Sequence, residues 1–165
     1  MVADPSIAVR TCVALACAQA LRYDRATAIA LFLRLCDAED DLLAAHPVEE
    51  FLHYTARTEL EQVWPILERM LASGVAKARE AGARQATLAA LSDEAARALA
   101  ETAINGDSET RNGAAEVLRH NIFAAPDRAY CEASLACRLR PLRVGTCQSR
   151  MTRHGRRGLR ADDRA

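Results

Sequence analysis

Aromatic side chains are scarce in this chain: 4% of 165 residues, with one tryptophan. Seven glycines and five prolines are too few for a collagen-like or low-complexity polymer. No apolar run approaches the ~18 residues that a membrane span requires. The longest, Cys12 to Leu21, is interrupted by Gln19. The opening Met-Val-Ala-Asp-Pro lacks a basic stretch leading into an apolar one, so no secretory signal is expected. No segment alternates with a period of two, so no strands are expected. What is left is an alanine-rich, helix-forming chain, half of it apolar and read as a cytoplasmic protein.

The formal charge of zero conceals two unlike parts. Up to Cys137 there are 13 basic and 20 acidic residues, a balance of −7. From Arg138 onward nine arginines face two aspartates, a balance of +7. Lys77 is the only lysine. The six cysteines contain no Cys-x2-Cys and have no histidine pair at zinc spacing, which argues against a metal framework. Cys12, Cys17 and Cys36 lie among alanine and leucine, where a free thiol packs as a small hydrophobe.

Helix signals divide the first 137 residues into about eight segments. Ser6 to Leu21 follows Asp4-Pro5, a capping acid and a first-turn proline. Asp24 to Cys36 carries an apolar stripe at Ala28, Ile29, Phe32, Leu33 and Cys36. The acidic stretch Asp37 to Asp41 separates it from a short helix, Pro47 to Ala56. Thr58 to Glu61 reads as a capping box. Behind it Leu60, Val63, Trp64, Leu67, Met70 and Leu71 form the clearest stripe in the chain, with Pro65 expected to kink or split it. Val75 to Leu91 follows the stop at Ser73-Gly74. Ser92 is expected to cap the next helix, which ends at Asn105-Gly106. A further helix runs from Asp107 or Ser108 to Asn121, and another from Pro126-Asp127 past Leu135.

Three of these helices open alike. Arg10, Arg79 and Arg111 each follow a turn, and each is followed four residues later by alanine: Ala14, Ala83 and Ala115. The intervening positions are small or apolar, as in Ala81/Gly82 and Gly113/Ala114. The spacings, 69 and 32, approximate two periods and one period of roughly 34 residues. The middle copy falls near Val48-Glu49, with glutamate in place of arginine. Small residues at those positions let two helices approach closely, and a two-helix unit buries its stripe only against neighbours.

The pattern resembles the first half of a HEAT-type repeat: a turn acid, then arginine, then small residues and leucine. Asp107, Arg111, Ala114, Ala115 and Leu118 match best; Ser6, Val9, Arg10 and Ala14 match in part, and Arg79 and Ala83 less. The resemblance covers residues 4–137. It implies an all-α fold, a right-handed α-α superhelix of about four helix pairs. It also implies that Arg10, Arg79 and Arg111 are structural, each meeting an acid or carbonyl of the adjacent repeat, with Asp107 one candidate acceptor.

Residues 138–165 have no apolar period. One reading makes them a disordered basic arm for an anionic partner. The other, which we prefer, makes them the out-of-frame translation of a GC-rich gene, because a further helical repeat is due where they begin. It predicts that another frame of the encoding DNA, after about codon 137, resumes a helical repeat. The last helix pair would then expose an apolar face prone to self-association.

No P-loop, Gly-x-Gly-x-x-Gly or Gly-x-Ser-x-Gly is present. His46, Glu49, Glu50 and His53 do not meet a zinc-hydrolase spacing; surface positions and a Glu49–His53 helix pair are the simpler reading. Trp64 is expected in the core, and His120-Asn121 suit a helix end. The expected function is a non-catalytic scaffold for a protein partner, a basic one given the acidic body, with no cofactor and no membrane. Nucleic-acid binding through the basic tail is the alternative, opposed by the negative body.

Overall fold

A computed structural model describes residues 2, 4–37, 39–123 and 128–138. Among them are nine α-helices and no strand. In chain order these are α1 (Ile7–Ala20), α2 (Arg25–Cys36), α3 (Asp40–Leu43), α4 (His46–Thr55), α5 (Leu60–Ala72), α6 (Ala76–Ala90), α7 (Arg97–Asn105), α8 (Ser108–Asn121) and α9 (Arg128–Arg138). A 3-10 turn, Glu94–Ala96, leads into α7. No described helix is long and apolar enough to cross a membrane. The basic segment from 139 onward, and the expected helix start at Pro126-Asp127, lie outside the described residues.

Local chemistry sets the boundaries. Asp24 caps α2 by accepting the Thr27 amide at 3.0 Å, and Asp107 caps α8 by accepting that of Thr110 at 2.9 Å. Arg119 and His120 occupy the last turn of α8, where the helix dipole favours cations. Asp4 takes the Ser6 amide at 2.8 Å just before α1.

Several expectations are corrected. The acidic connector contains a helical turn of its own, α3. Thr58 does not cap α5: its hydroxyl accepts from Arg25 Nη2 at 2.7 Å and pairs with the Glu59 carboxylate, and a guanidinium outcompetes a backbone amide for it. Of the kink or split expected at Pro65, the split does not occur: α5 runs from Leu60 to Ala72 with the proline inside it. The proline sits in the second turn, exposed, and removes the bond to the Glu61 carbonyl. The cap before α7 is Asp93, which accepts the Ala95 amide at 2.9 Å; the Ser92 hydroxyl instead accepts from Arg57 Nε at 3.0 Å. Cys12 is exposed, whereas Cys17 and Cys36 are buried. Trp64 is half-buried against the core.

Packing follows chain order. α1 packs on α2 and α4, α4 touches α6, and α6 meets α5, α7 and α8; α8 in turn packs on α9. No substantial packing joins α1 or α2 to any helix beyond α5. The N-terminal half of the core holds the large side chains, with Phe32 of α2 stacked on Phe51 of α4 at 3.8 Å between ring centroids. Further along the layers thin to alanine. α6 buries Ala78, Ala81, Gly82, Ala83, Gln85, Ala86, Thr87, Ala89 and Ala90, positions that face all round the helix. Only side chains this small let one helix touch so many others. This central helix accordingly carries no aromatic side chain.

Candidate functional site

The arginine register falls at one structural position. Arg10, Arg79 and Arg111 are each the fourth residue of a helix (α1, α6 and α8), and Glu49 is the fourth residue of α4. Four residues on, Ala14, Ala83 and Ala115 are buried, while His53 is exposed. The small residues between them are close-approach points. A Cβ at Gly113 would strike the Glu80 carbonyl of α6, and one at Gly82 would lie 2.6 Å from Met70 Cβ of α5.

The three arginines have different surroundings. Arg79 donates from Nη1 to the Ser73 carbonyl at 2.8 Å, closing the C-terminal end of α5. Its Nε stands 2.7 Å from Asp107 Oδ2 at the start of α8, and Nη2 lies 3.6 Å from Glu109 Oε2. The Nε–Asp107 contact is an ion pair by distance, set off the hydrogen-bond line. Asp107 is held below the usual carboxylate range, first by the Thr110 amide it accepts and further by the Arg79 charge. Arg111 donates to the Gly106 carbonyl at 2.5 Å, at the end of α7. Arg10 is 6% exposed, and its Nε and Nη2 have no hydrogen-bond partner. The residue before α4 is Ala45, whereas Asp107 stands before α8; the acid that meets Arg79 has no counterpart for Arg10.

A second set of charges spans the helices. Glu49 does not pair with His53. Its carboxylate receives Arg84 Nε at 2.6 Å and Nη2 at 3.0 Å, and Gln85 at 3.3 Å, all from α6. Arg84 also reaches Glu80 at 3.2 Å and Glu116 of α8 at 3.5 Å, so one guanidinium links α4, α6 and α8. Burial pushes the Glu49 carboxyl up, but the Arg84 hydrogen bonds and charge outweigh it and hold Glu49 below its ordinary value. Arg84 is raised, chiefly by its hydrogen bonds to Glu49. Arg25 of α2 grips Glu59 through Nε at 2.5 Å and Nη2 at 2.7 Å, and bonds the Tyr54 carbonyl at 2.8 Å. Arg69 of α5 holds Asp40 at 2.7 Å and the Cys36 carbonyl at 2.5 Å.

The separations in sequence fall in one band, shortest for the ion pairs Arg79–Asp107 and Arg69–Asp40 at 28 and 29 residues. Arg25 to Glu59 spans 34 residues, Arg57 to Ser92 35, Arg69 to Cys36 33, Arg84 to Glu49 35, and Arg84 to Glu116 32. Arg25, Arg69 and Arg84 were not singled out from the sequence. The signal was present in the anomaly at Glu49: a carboxylate drawn into the packing calls for a base, and Arg84 supplies it.

As chemistry, these contacts fasten helix to helix. Among the described residues no three His, Cys, Asp or Glu side chains are grouped to hold a metal ion. Burial pushes the Cys36 thiol up to about 12, far from a reactive thiolate. Between α7, α8 and α9 a void of about 10 Å³, lined in part by Arg111, Leu118 and Leu135, has room for a single water. His120 Nδ1 meets the Glu116 carbonyl and Asn121 donates to that of Val117, both local helix-end contacts. Comparison with protein-family models, with curated proteins and with solved structures found no match.

Proposed function

We propose that the helices form a HEAT-like right-handed α-α superhelix of four pairs, α1–α2, α4–α5, α6–α7 and α8–α9, serving as a non-catalytic scaffold for a protein partner. The observation that carries this reading is the recurring spacing of the arginine contacts that cross between segments, 28 to 35 residues. A contact one period long joins a residue to its neighbour in the next repeat, and a stack of repeats makes that kind of contact over and over. The shared fourth-residue register and the packing of α1 and α2 no further than α5 support it. In this arrangement Arg79 ties the end of one pair to the start of the next, a structural role, and Asp107 is its acceptor.

Stacked pairs present extended helix-lined surfaces, which suit protein partners. Calorimetric titration of the chain with lysine-rich and glutamate-rich peptides tests the scaffold reading. It expects salt-weakened binding of at least one of them; binding of neither contradicts it. A second reading, nucleic-acid binding, rests on the nine arginines from Arg138 onward. It expects salt-sensitive DNA binding by the full chain that is lost on truncation after Cys137.

A further inference from the structure

The body is acidic in sum, but one groove on it is not. It lies where the end of α1, the start of α2 and the end of α4 meet, and has a volume of about 250 Å³. Ala18 and Leu21 supply its apolar lining; Gln19, Arg22, Arg25 and Tyr54 supply the rest. The two arginines differ. Arg25 is fully engaged, held by both oxygens of Glu59, by Thr58 and by the Tyr54 carbonyl. Its charge is balanced by Glu59, and its geometry is fixed. Arg22 is exposed and has no hydrogen bond or ion pair to any described residue. Tyr54 is 53% exposed, and Tyr23, in the turn beside Arg22, is 87% exposed. Of the carboxylates nearby, Glu59 is consumed by Arg25, and Asp24 is committed to capping α2. Among the described residues no acid lines the groove.

An unpaired guanidinium beside an apolar recess, an amide and a half-exposed phenol ring selects an anionic group on an apolar stem. The volume is below the ~300–1,000 Å³ of most small-molecule pockets and matches one or two inserted side chains. A nucleic-acid strand would bring phosphates at every step against a body of net −7, with one unpaired arginine here to meet them. We propose that this groove docks an acidic peptide segment, whose carboxylate pairs with Arg22 while an adjoining apolar side chain lies on Ala18 and Leu21 against Tyr54. The proposal rests on the scaffold reading and names one of its docking points. Arg25, locked by Glu59, keeps the wall in place before the peptide arrives, which lowers the ordering cost of binding.

Fluorescence anisotropy of the full chain with a labelled peptide of alternating glutamate and leucine tests this directly, with the matching lysine–leucine peptide and a labelled oligothymidylate as comparison probes. The acidic peptide should bind, weaken as salt rises, and lose about tenfold or more in affinity in Arg22→Glu. Tyr54→Ala should weaken it several-fold, and both variants, at exposed positions, should keep the helical circular-dichroism signal. Unchanged affinity in Arg22→Glu overturns the proposal, as does capture of the oligothymidylate at the same groove. If only the lysine–leucine peptide binds, the groove proposal falls and the scaffold reading stands; if neither peptide binds, both fall.

Discussion

Arg10 and Arg79 hold the same helical position in different surroundings. Arg79 closes the end of α5 through the Ser73 carbonyl and pairs with Asp107, so its replacement leaves both acceptors without their cation. Arg10 is more deeply buried, with two unpartnered nitrogens. A buried, incompletely paired charge is costly to hold, and an apolar replacement of similar length removes that cost. Arg79→Met should therefore lower unfolding stability by about 1–2 kcal/mol, whereas Arg10→Met should leave it unchanged or raise it by about 1 kcal/mol. Denaturant titration checks both, and equal losses would remove the distinction. Glu49 makes a pH prediction. Its folded pKa lies below its ordinary 4.5, so the stability it contributes is present above that value and fades as pH falls through the folded pKa. Glu49→Gln should be less stable than the parent near pH 7, with the difference shrinking below about pH 4.5. A difference that persists unchanged at pH 3 would show that the Arg84 pairing is not its source.

At the scale of the element, the close contact of α6 with α8 depends on a missing side chain. Alanine is the better helix former by about 1 kcal/mol, so propensity alone would make Gly113→Ala stabilising. The added Cβ would strike the Glu80 carbonyl, which is backbone and cannot swing aside. The variant should lose about 1–3 kcal/mol on balance, read from its thermal or denaturant midpoint. A stabilised Gly113→Ala would mean that the two helices are farther apart. The elements were largely legible in the sequence, because apolar spacing and caps such as Asp24 and Asp107 are local signals. What was not legible is where a distant residue competes for a local one. Thr58 and Ser92 both look like caps, yet each accepts from a distant arginine, Arg25 of α2 and Arg57 of the turn between α4 and α5 respectively. Cys12 looks like core by its neighbours in sequence, but its side chain is exposed on α1. Of the candidate site, the positions Arg10, Arg79, Asp107 and Arg111 were visible as a register; Arg25, Arg69 and Arg84 were not, since their role is defined only by what they reach.

For the whole molecule, a stack and a globule differ in how far an interaction propagates. In a globule with one centre, weakening any core residue weakens every helix together. In a stack of pairs each layer touches only its neighbours, and damage stays local. Phe32 is fully buried and stacked on Phe51, so it anchors the α1–α2 end of the chain. Phe32→Leu is a moderate perturbation of about 1–1.5 kcal/mol. Native-state amide hydrogen exchange on this variant is the most direct measurement. A stack of pairs should show faster exchange in α1, α2 and α4, with the amides of α6, α7 and α8 protected as in the parent. A uniform loss of protection across all the helices would contradict it.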